Sequence, residues 1–163
     1  MLAGCGRIAF EPGADLADAD LADSVAVCPP TYETIGGSCY RFTKPGGVEL
    51  TWLGAEADCE KEGGHLVVID TAIEAEVVIA GAQPVTTYWV GLSDRITSGT
   101  YRWVNGSTAP LPGTFANGEP DPSRKERCIQ LDAGLQLFDE LCDSPLDDYI
   151  CEIDGRAADK STF

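Results

Sequence analysis

The sequence is poor in basic residues and in histidine. Of its 163 residues only 11 are Lys or Arg, against 27 Asp or Glu, so the formal net charge is −16, and there is one His. Because proteins bind nucleic-acid phosphates through lysine and arginine, this balance disfavours a nucleic-acid partner. One histidine and no Cys-x-x-Cys pair argue against a zinc site. No stretch of about 18 apolar residues is present that would predict a membrane span.

Glycine, proline and cysteine are plentiful, with 18, 10 and 7 residues respectively. The length fits one domain with a sizeable core, and the glycine and proline content indicates many loops. The acidic surface is compatible with divalent cations. Six cysteines fall in or beside the part expected to fold: Cys28, Cys39, Cys59, Cys128, Cys142 and Cys151. This even set predicts disulfides and an oxidising compartment, although several pairings are open from spacing alone.

The seventh cysteine, Cys5, lies apart from this set. It ends the sequence Leu2-Ala3-Gly4-Cys5, which matches the bacterial lipobox, whose cysteine is acylated. The alternative is a free thiol without a role. Residues 1–27 are therefore interpreted as a lipobox-like N-terminus followed by an acidic tether, with membrane attachment only through a lipid on Cys5. Residues 155–163 are interpreted as a polar, disordered tail.

Hydrophobic periodicity predicts an α+β domain over residues 28–154. Thr51–Glu62 has an apolar helical face, and a capping box at Thr71 and Glu74 opens a second helix over about 72–81. Short strands are predicted at 35–42, 66–69, 88–92, 101–104, 128–131, 135–139 and 148–153. A glycine- and proline-rich stretch, about 93–126, lacks a periodic pattern and is typical of a functional loop.

Several motifs together resemble one family, the C-type lectin-like domain in its long form. They are Cys28-Pro29-Pro30, Thr51-Trp52, Gly63-Gly64-His65-Leu66, Trp89-Val90-Gly91-Leu92, Glu119-Pro120-Asp121 and Tyr149-Ile150-Cys151. The resemblance covers about 28–152. It implies two helices packed on short antiparallel sheets, a long loop region, and the disulfides Cys28–Cys39, Cys59–Cys151 and Cys128–Cys142. It also implies a cis peptide bond before Pro120 and core positions for Trp52, Trp89 and Trp103.

The resemblance further implies a calcium site that also binds sugar hydroxyls. The family's ligand positions correspond here to Glu119, Asp121, Glu126, Phe138 and Asp139. Four of them are carboxylates, the hard oxygen ligands that calcium prefers. The carbohydrate is expected to contact the same five residues.

The sequence departs from the family pattern at two places. Phe138 stands at an Asn position and offers no side-chain oxygen; its ring either stacks on a sugar or packs inward, and we favour inward packing. An accessory calcium site is expected to be absent, because Asp94 is present but Ser98 and Pro122 occupy positions where acids would stand.

The first functional hypothesis is a calcium-dependent lectin, on a bacterial lipoprotein at the cell envelope or secreted. The alternative is a calcium-independent module that binds a cell-surface protein through the 93–126 loop. An enzyme is not expected: paired carboxylates such as Glu119 and Asp139 serve glycoside hydrolysis only at a defined separation within a cleft, and the family resemblance gives that no support. The sugar, the partner and the oligomeric state do not follow from the sequence.

Overall fold

The computed structural model describes residues 27–43, 46–83, 87–121, 125–146 and 148–163, without the side chain of Ile79. Cys5 and the acidic tether lie outside these ranges. The described part contains two helices, α1 (Trp52–Lys61) and α2 (Ala72–Gly81). Its nine strands are β1 (Glu33–Ile35), β2 (Ser38–Phe42), β3 (His65–Leu66), β4 (Tyr88–Ser93), β5 (Arg102–Trp103), β6 (Thr114–Phe115), β7 (Cys128–Leu131), β8 (Gln136–Glu140) and β9 (Ile150–Ile153). No helix of this part is long and apolar enough to cross a membrane.

The strands form two sheets. One has the order β1-β2-β9-β3, and the other has the order β5-β4-β7-β8-β6. All pairs are antiparallel except β6 with β8. The predicted α+β fold, with two helices and short sheets, is confirmed.

Both helices begin at threonine caps. The hydroxyl of Thr51 accepts the N–H of Gly54 at 3.1 Å. The hydroxyl of Thr71 accepts the N–H of Glu74, whose carboxylate in turn accepts the N–H of Thr71. This reciprocal pair is the predicted capping box, and it satisfies donors that a helix start leaves unpaired.

The core lies between the two sheets and α1. Trp52, Trp89 and Trp103 are at most 2% exposed, as predicted. The indole N–H of Trp52 donates to the carbonyl of Val90, and that of Trp89 to the carbonyl of Leu50. These bonds fix α1 and the residues just before it against β4, because a buried indole N–H without an acceptor is costly.

The three predicted disulfides are present: Cys28–Cys39, Cys59–Cys151 and Cys128–Cys142. Cys59–Cys151 joins α1 to β9 and closes the longest loop, with a separation of 92 residues. Long loops gain most from a cross-link in the chain-entropy description, on the order of 4–5 kcal/mol. Cys128–Cys142 joins the start of β7 to the residues just after β8.

Among the predicted strands, two differ clearly from the structure. The strand predicted over 35–42 is a hairpin, because Gly36 and Gly37 adopt φ values of 62° and 97° and turn the chain between β1 and β2. The predicted strand at 66–69 is shorter, since β3 ends at Leu66.

The polar segment 155–163 is placed on the domain rather than disordered. The N–H of Asp159 donates to the carbonyl of Val104 at 2.6 Å, and Thr162 is 6% exposed. The ring of Phe163 meets that of Trp52 edge-on, with 5.3 Å between centroids. Tertiary contacts that composition does not reveal hold this segment.

Candidate functional site

Three of the predicted site carboxylates converge at one end of the larger sheet. They are Glu119, Glu126 and Asp139, called here the acidic trio, and one oxygen from each lies within 4.8 Å of the others. Asp139 is on β8 and is 5% exposed. Glu119 closes a turn by donating its N–H to the carbonyl of Ala116 at 3.0 Å. Glu126 lies in the segment that enters β7. The trio is therefore built from three separate parts of the chain.

Strand pairing and a disulfide hold this end of the sheet. β7 pairs with β8 so that Cys128 faces Glu140 and Ile129 faces Asp139. The N–H of Arg127 extends the ladder by donating to the carbonyl of Glu140 at 3.0 Å. The Cys128–Cys142 bridge ties together the same two strands. A site on paired strands is more rigid than one on loops alone.

The fourth predicted carboxylate, Asp121, has a different position. Its backbone N–H donates to both oxygens of Asp139, at 2.9 and 3.1 Å. Its carboxylate is not part of the 4.8 Å set, although Asp121 lines the same shallow pocket of about 260 Å³ as Tyr101, Glu126 and Asp139. The peptide bond between Glu119 and Pro120 is cis, as the family resemblance implies.

The trio carries strong mutual repulsion. A hydrogen bond with Asp139, burial, and the nearby charges of Asp139, Glu126 and Asp121 raise the pKa of Glu119 to about 7. Burial and the charges of Asp121, Glu140 and Asp139 raise the pKa of Glu126. One oxygen of Glu119, Oε2, is buried, and no hydrogen-bond donor within the described residues reaches it.

This donor set fits calcium. Carboxylate oxygens that repel one another and lack donors are stabilised when a cation lies between them. Calcium takes six to eight hard oxygens at about 2.3–2.6 Å, and carboxylates supply one or two each. The trio supplies up to six oxygens, and Asp121 lies beside it.

Phe138 does not join the trio. It pairs with Gln130 across β7 and β8, and it alternates with the buried residues Leu137 and Asp139. Successive side chains of a strand point to opposite faces, so the ring faces away from the trio. It is partly exposed rather than buried, which differs from the inward packing favoured from the sequence.

Arg127 occupies the surroundings of Asp94, where the family resemblance places an accessory site. Its Nε donates to Asp94 Oδ1 at 3.1 Å, and its terminal nitrogen donates to the carbonyl of Asp94. The N–H of Gly99 also donates to Asp94 at 2.5 Å. Asp94 thus has a guanidinium partner, which sequence reasoning missed because 33 residues separate the pair. Ser98 lines the same shallow pocket as Asp121, Glu126 and Asp139, which is called here the acidic pocket. Pro122 lies outside the described residues.

A second acidic cluster contains the single histidine and lies within the core. His65, Glu152 and Asp154 also bring ligand atoms within 4.8 Å of one another. Nδ1 of His65 donates to the carbonyl of Leu66 at 2.8 Å, and Nε2 lies 3.3 Å from Asp154. Glu152 accepts the N–H of Val68 and the hydroxyl of Tyr40. These bonds connect β2, β3 and β9, which is a structural role.

Comparison with known proteins identifies the class to which this fold and site belong. The family model described as Lectin C-type domain matches residues 48–153, so the chain belongs to this family of carbohydrate-recognition domains. The family is defined by binding and not by catalysis.

Particular relatives are animal proteins. Asialoglycoprotein receptor 2 of Rattus norvegicus is 37% identical over 89 residues, which cover 53% of this chain and 27% of the receptor. The matched part of the chain spans about a quarter of the length of these relatives: 27% of the rat receptor and 25% of its mouse counterpart.

Two solved structures show the range of the fold. The carbohydrate-recognition domain of cow CD23, determined in the presence of a GlcNAc2Man3 oligosaccharide, has a TM-score of 0.67 and 27% identity, covering 77% of this chain and 95% of that one. A calcium-independent type II antifreeze protein has a TM-score of 0.65 and 25% identity, covering 78% and 94%. Similarity of fold alone therefore leaves calcium dependence open.

Proposed function

We propose that this chain is a calcium-dependent carbohydrate-binding domain whose site is the acidic trio. The observation that supports this is the convergence of Glu119, Glu126 and Asp139, together with the buried Oε2 of Glu119, which no hydrogen-bond donor of the described residues reaches. Three carboxylates from distant parts of the chain are held together against their own repulsion, and a cation between them relieves that cost at a pH where all three are ionised. Glu119, Glu126 and Asp139 would hold the ion, with Asp121 at its edge.

When bound, calcium supplies free coordination positions for two vicinal sugar hydroxyls. The carboxylates of the trio then accept hydrogen bonds from those hydroxyls, which are stronger for a charged acceptor than for a neutral one. The backbone N–H of Asp121, which donates to both oxygens of Asp139, orients Asp139 for this role. Glu119-Pro120-Asp121 matches neither the mannose-type nor the galactose-type pattern of the family, so the identity of the sugar stays open.

The test is retention on immobilised monosaccharides, with calcium and with chelator. We expect the wild-type protein to be retained by at least one neutral sugar in calcium and released by EDTA. Asp139→Asn should abolish retention, since it removes a charge from the trio. Glu76→Gln is the matched control, because it removes one carboxylate charge from the exposed face of α2. Equal retention of both variants, or retention unchanged by EDTA, would overturn the proposal.

A second candidate is a calcium-independent interaction module. Phe138 favours it, because it withholds an oxygen ligand at a position that the family uses. The calcium-independent antifreeze structure is a further member of the fold without the metal requirement. A protein that melts identically in calcium and EDTA would favour this candidate.

The three disulfides support an oxidising, extracytoplasmic location. Lipidation of Cys5 and attachment to a bacterial cell envelope remain predictions that rest on Leu2-Ala3-Gly4-Cys5, and Cys5 lies outside the described residues. The relatives compared above are animal proteins and lend the lipobox no support. Mass spectrometry of the N-terminal peptide from the native source tests it directly.

A further inference from the structure

A second pocket is lined by three basic side chains and one acidic side chain. It has a volume of about 330 Å³ and is called here the basic pocket; it is lined by Arg95, Lys125, Arg127, Leu141, Cys142 and Asp143. Three of the 11 basic residues of the chain thus meet at one place, with the carboxylate of Asp143 beside them and that of Asp94 bound to Arg127. In a protein with a net charge of −16, three cations around one small pocket are a local reversal of sign.

The two pockets share one wall. Glu126 lines the acidic pocket, and its neighbours Lys125 and Arg127 line the basic pocket. The Cys128–Cys142 disulfide anchors this wall, and Cys142 itself lines the basic pocket. A ligand that crosses the wall therefore meets the acidic trio on one side and the cations on the other.

The arginines are held in place before any ligand arrives. Asp94 binds Arg127 through its carboxylate and its carbonyl, and the side chain of Arg127 stays 30% exposed. The guanidinium of Arg95 lies 5.9 Å from the ring centroid of Trp52, and no carboxylate of the described residues forms an ion pair with it. Fixed guanidinium groups lose less conformational freedom when they bind an oxyanion, and their geometry suits one with two acceptor oxygens.

We propose that the basic pocket binds the oxyanion of an acidic glycan, a sulfate ester or a carboxylate, next to a sugar held at the acidic trio. This rests on the proposed function and narrows it from carbohydrate in general to negatively charged carbohydrate. Leu141, 44% exposed, adds an apolar surface on which the body of a sugar ring packs. Calcium at the trio cancels nearby negative charge, so the two sites cooperate: anion affinity rises with calcium, and calcium affinity rises with the anion.

The test uses one polymer in two forms, dextran and dextran sulfate, immobilised at equal density and measured at constant ionic strength. Both carry vicinal sugar hydroxyls, and only one carries sulfate. We expect the wild-type protein in about 10 mM calcium to bind dextran sulfate at least about tenfold more tightly than dextran, as charge-assisted bonds require. Arg95→Gln combined with Lys125→Gln should remove this preference and leave dextran binding unchanged. Lys61→Gln is the matched control, since it removes an exposed cation from the last turn of α1.

Each outcome separates the pocket from the calcium site. Dextran sulfate binding that survives EDTA, and that the double variant loses, supports the basic pocket while the calcium-dependent function fails. If the wild-type protein binds both polymers with equal affinity, the proposal that the basic pocket binds an oxyanion is overturned, with or without calcium. An effect of Lys61→Gln as large as that of the double variant overturns it as well, because overall charge would then explain the preference. If poly-glutamate binds as tightly as dextran sulfate, the proposal of an acidic glycan is overturned, and an acidic protein partner is favoured.

Discussion

The backbone N–H of Asp121 donates to both carboxylate oxygens of Asp139, at 2.9 and 3.1 Å. The bond joins the loop after Pro120 to β8 across 18 residues of sequence. It fixes Asp139, which is 5% exposed, within the acidic trio. One acid of the predicted ligand set thereby positions another, and the trio gains a rigid member before any ion binds.

Calcium should stabilise the protein against heat. For an extracellular site a Kd of about 10⁻⁴–10⁻³ M is reasonable. At about 10 mM calcium this adds about 1.4–2.7 kcal/mol to the free energy of unfolding, a rise in melting temperature of roughly 5–10 °C. Glu126→Gln should lose most of the rise, and Glu76→Gln should keep it. A melting temperature that is the same in calcium and EDTA would contradict a metal site at the trio.

The stabilisation by calcium should depend on pH. The pKa of Glu119 is raised to about 7 in the metal-free fold by its contact with Asp139, by burial and by neighbouring carboxylates. Protons therefore compete with calcium below pH 7, and the Glu119 carboxyl binds more protons in the folded, metal-free protein than in the unfolded chain between about pH 4.5 and 7. In that window this group's contribution to stability without calcium falls as pH rises, whereas the gain from calcium grows.

The difference between melts with and without calcium is the measurement that isolates this effect. The pKa of Glu152 is also raised to about 7, mainly by burial, and the pKa of Glu126 is raised as well, so the metal-free curve alone mixes several groups. We expect the calcium affinity to fall at least about tenfold from pH 7.5 to 5.5. Glu119→Gln should flatten this dependence. If the calcium affinity does not change between pH 7.5 and 5.5, Glu119 is already ionised without the metal.

The C-terminal segment should contribute to stability. Phe163 packs edge-on against Trp52, which is completely buried. An aromatic pair of this kind contributes about 0.5–1.5 kcal/mol beyond the area it buries, so Phe163→Ala should cost roughly 1–3 kcal/mol. Ile73→Ala, at a position that is 67% exposed, is the control and should change little. Urea unfolding of both variants measures the difference, and equal midpoints would mean that the segment is not docked in solution.

Local signals in the sequence predict most of the fold. Thr51 and Thr71 mark both helix starts, because a threonine cap is a short-range interaction. β6 was missed, since two residues have no periodicity and Thr114–Phe115 becomes a strand only by pairing in parallel with β8. The docking of residues 155–163 was missed for the same kind of reason. It depends on the carbonyl of Val104 and on the ring of Trp52, which are distant in sequence.

The candidate site was predicted in its residue types more than in its geometry. Family motifs located the carboxylates, and the structure brings Glu119, Glu126 and Asp139 together. The motifs did not show that Asp121 contributes a backbone donor, because main-chain bonds leave no trace in residue identity. The pairing of Arg127 with Asp94 was equally hidden, since it requires the β4–β7 register.

Phe138 provides the last prediction, which tests whether the departure from the family pattern weakens the site. Phe138→Asn places an oxygen at the position where the family uses a ligand. Strand alternation turns residue 138 away from the trio, so this oxygen reaches the ion only if the Asn side chain turns toward Asp139. A metal-directed or charge-assisted contact then contributes about 1.5–3 kcal/mol, and calcium affinity should rise at least about tenfold. Because the ring is partly exposed, the substitution should cost less stability than one in the core.

Phe138→Ala is the matched control, because it removes the same ring without adding an oxygen and should leave calcium affinity unchanged. Calcium titration by calorimetry, with a melt of each variant in EDTA, separates the gained ligand from any change in folding. If Phe138→Asn folds normally and its calcium affinity equals that of Phe138→Ala, the alternation of β8 keeps residue 138 away from the ion. The acidic trio would then act without a ligand from this position, and Phe138 would not be the cause of a weak site.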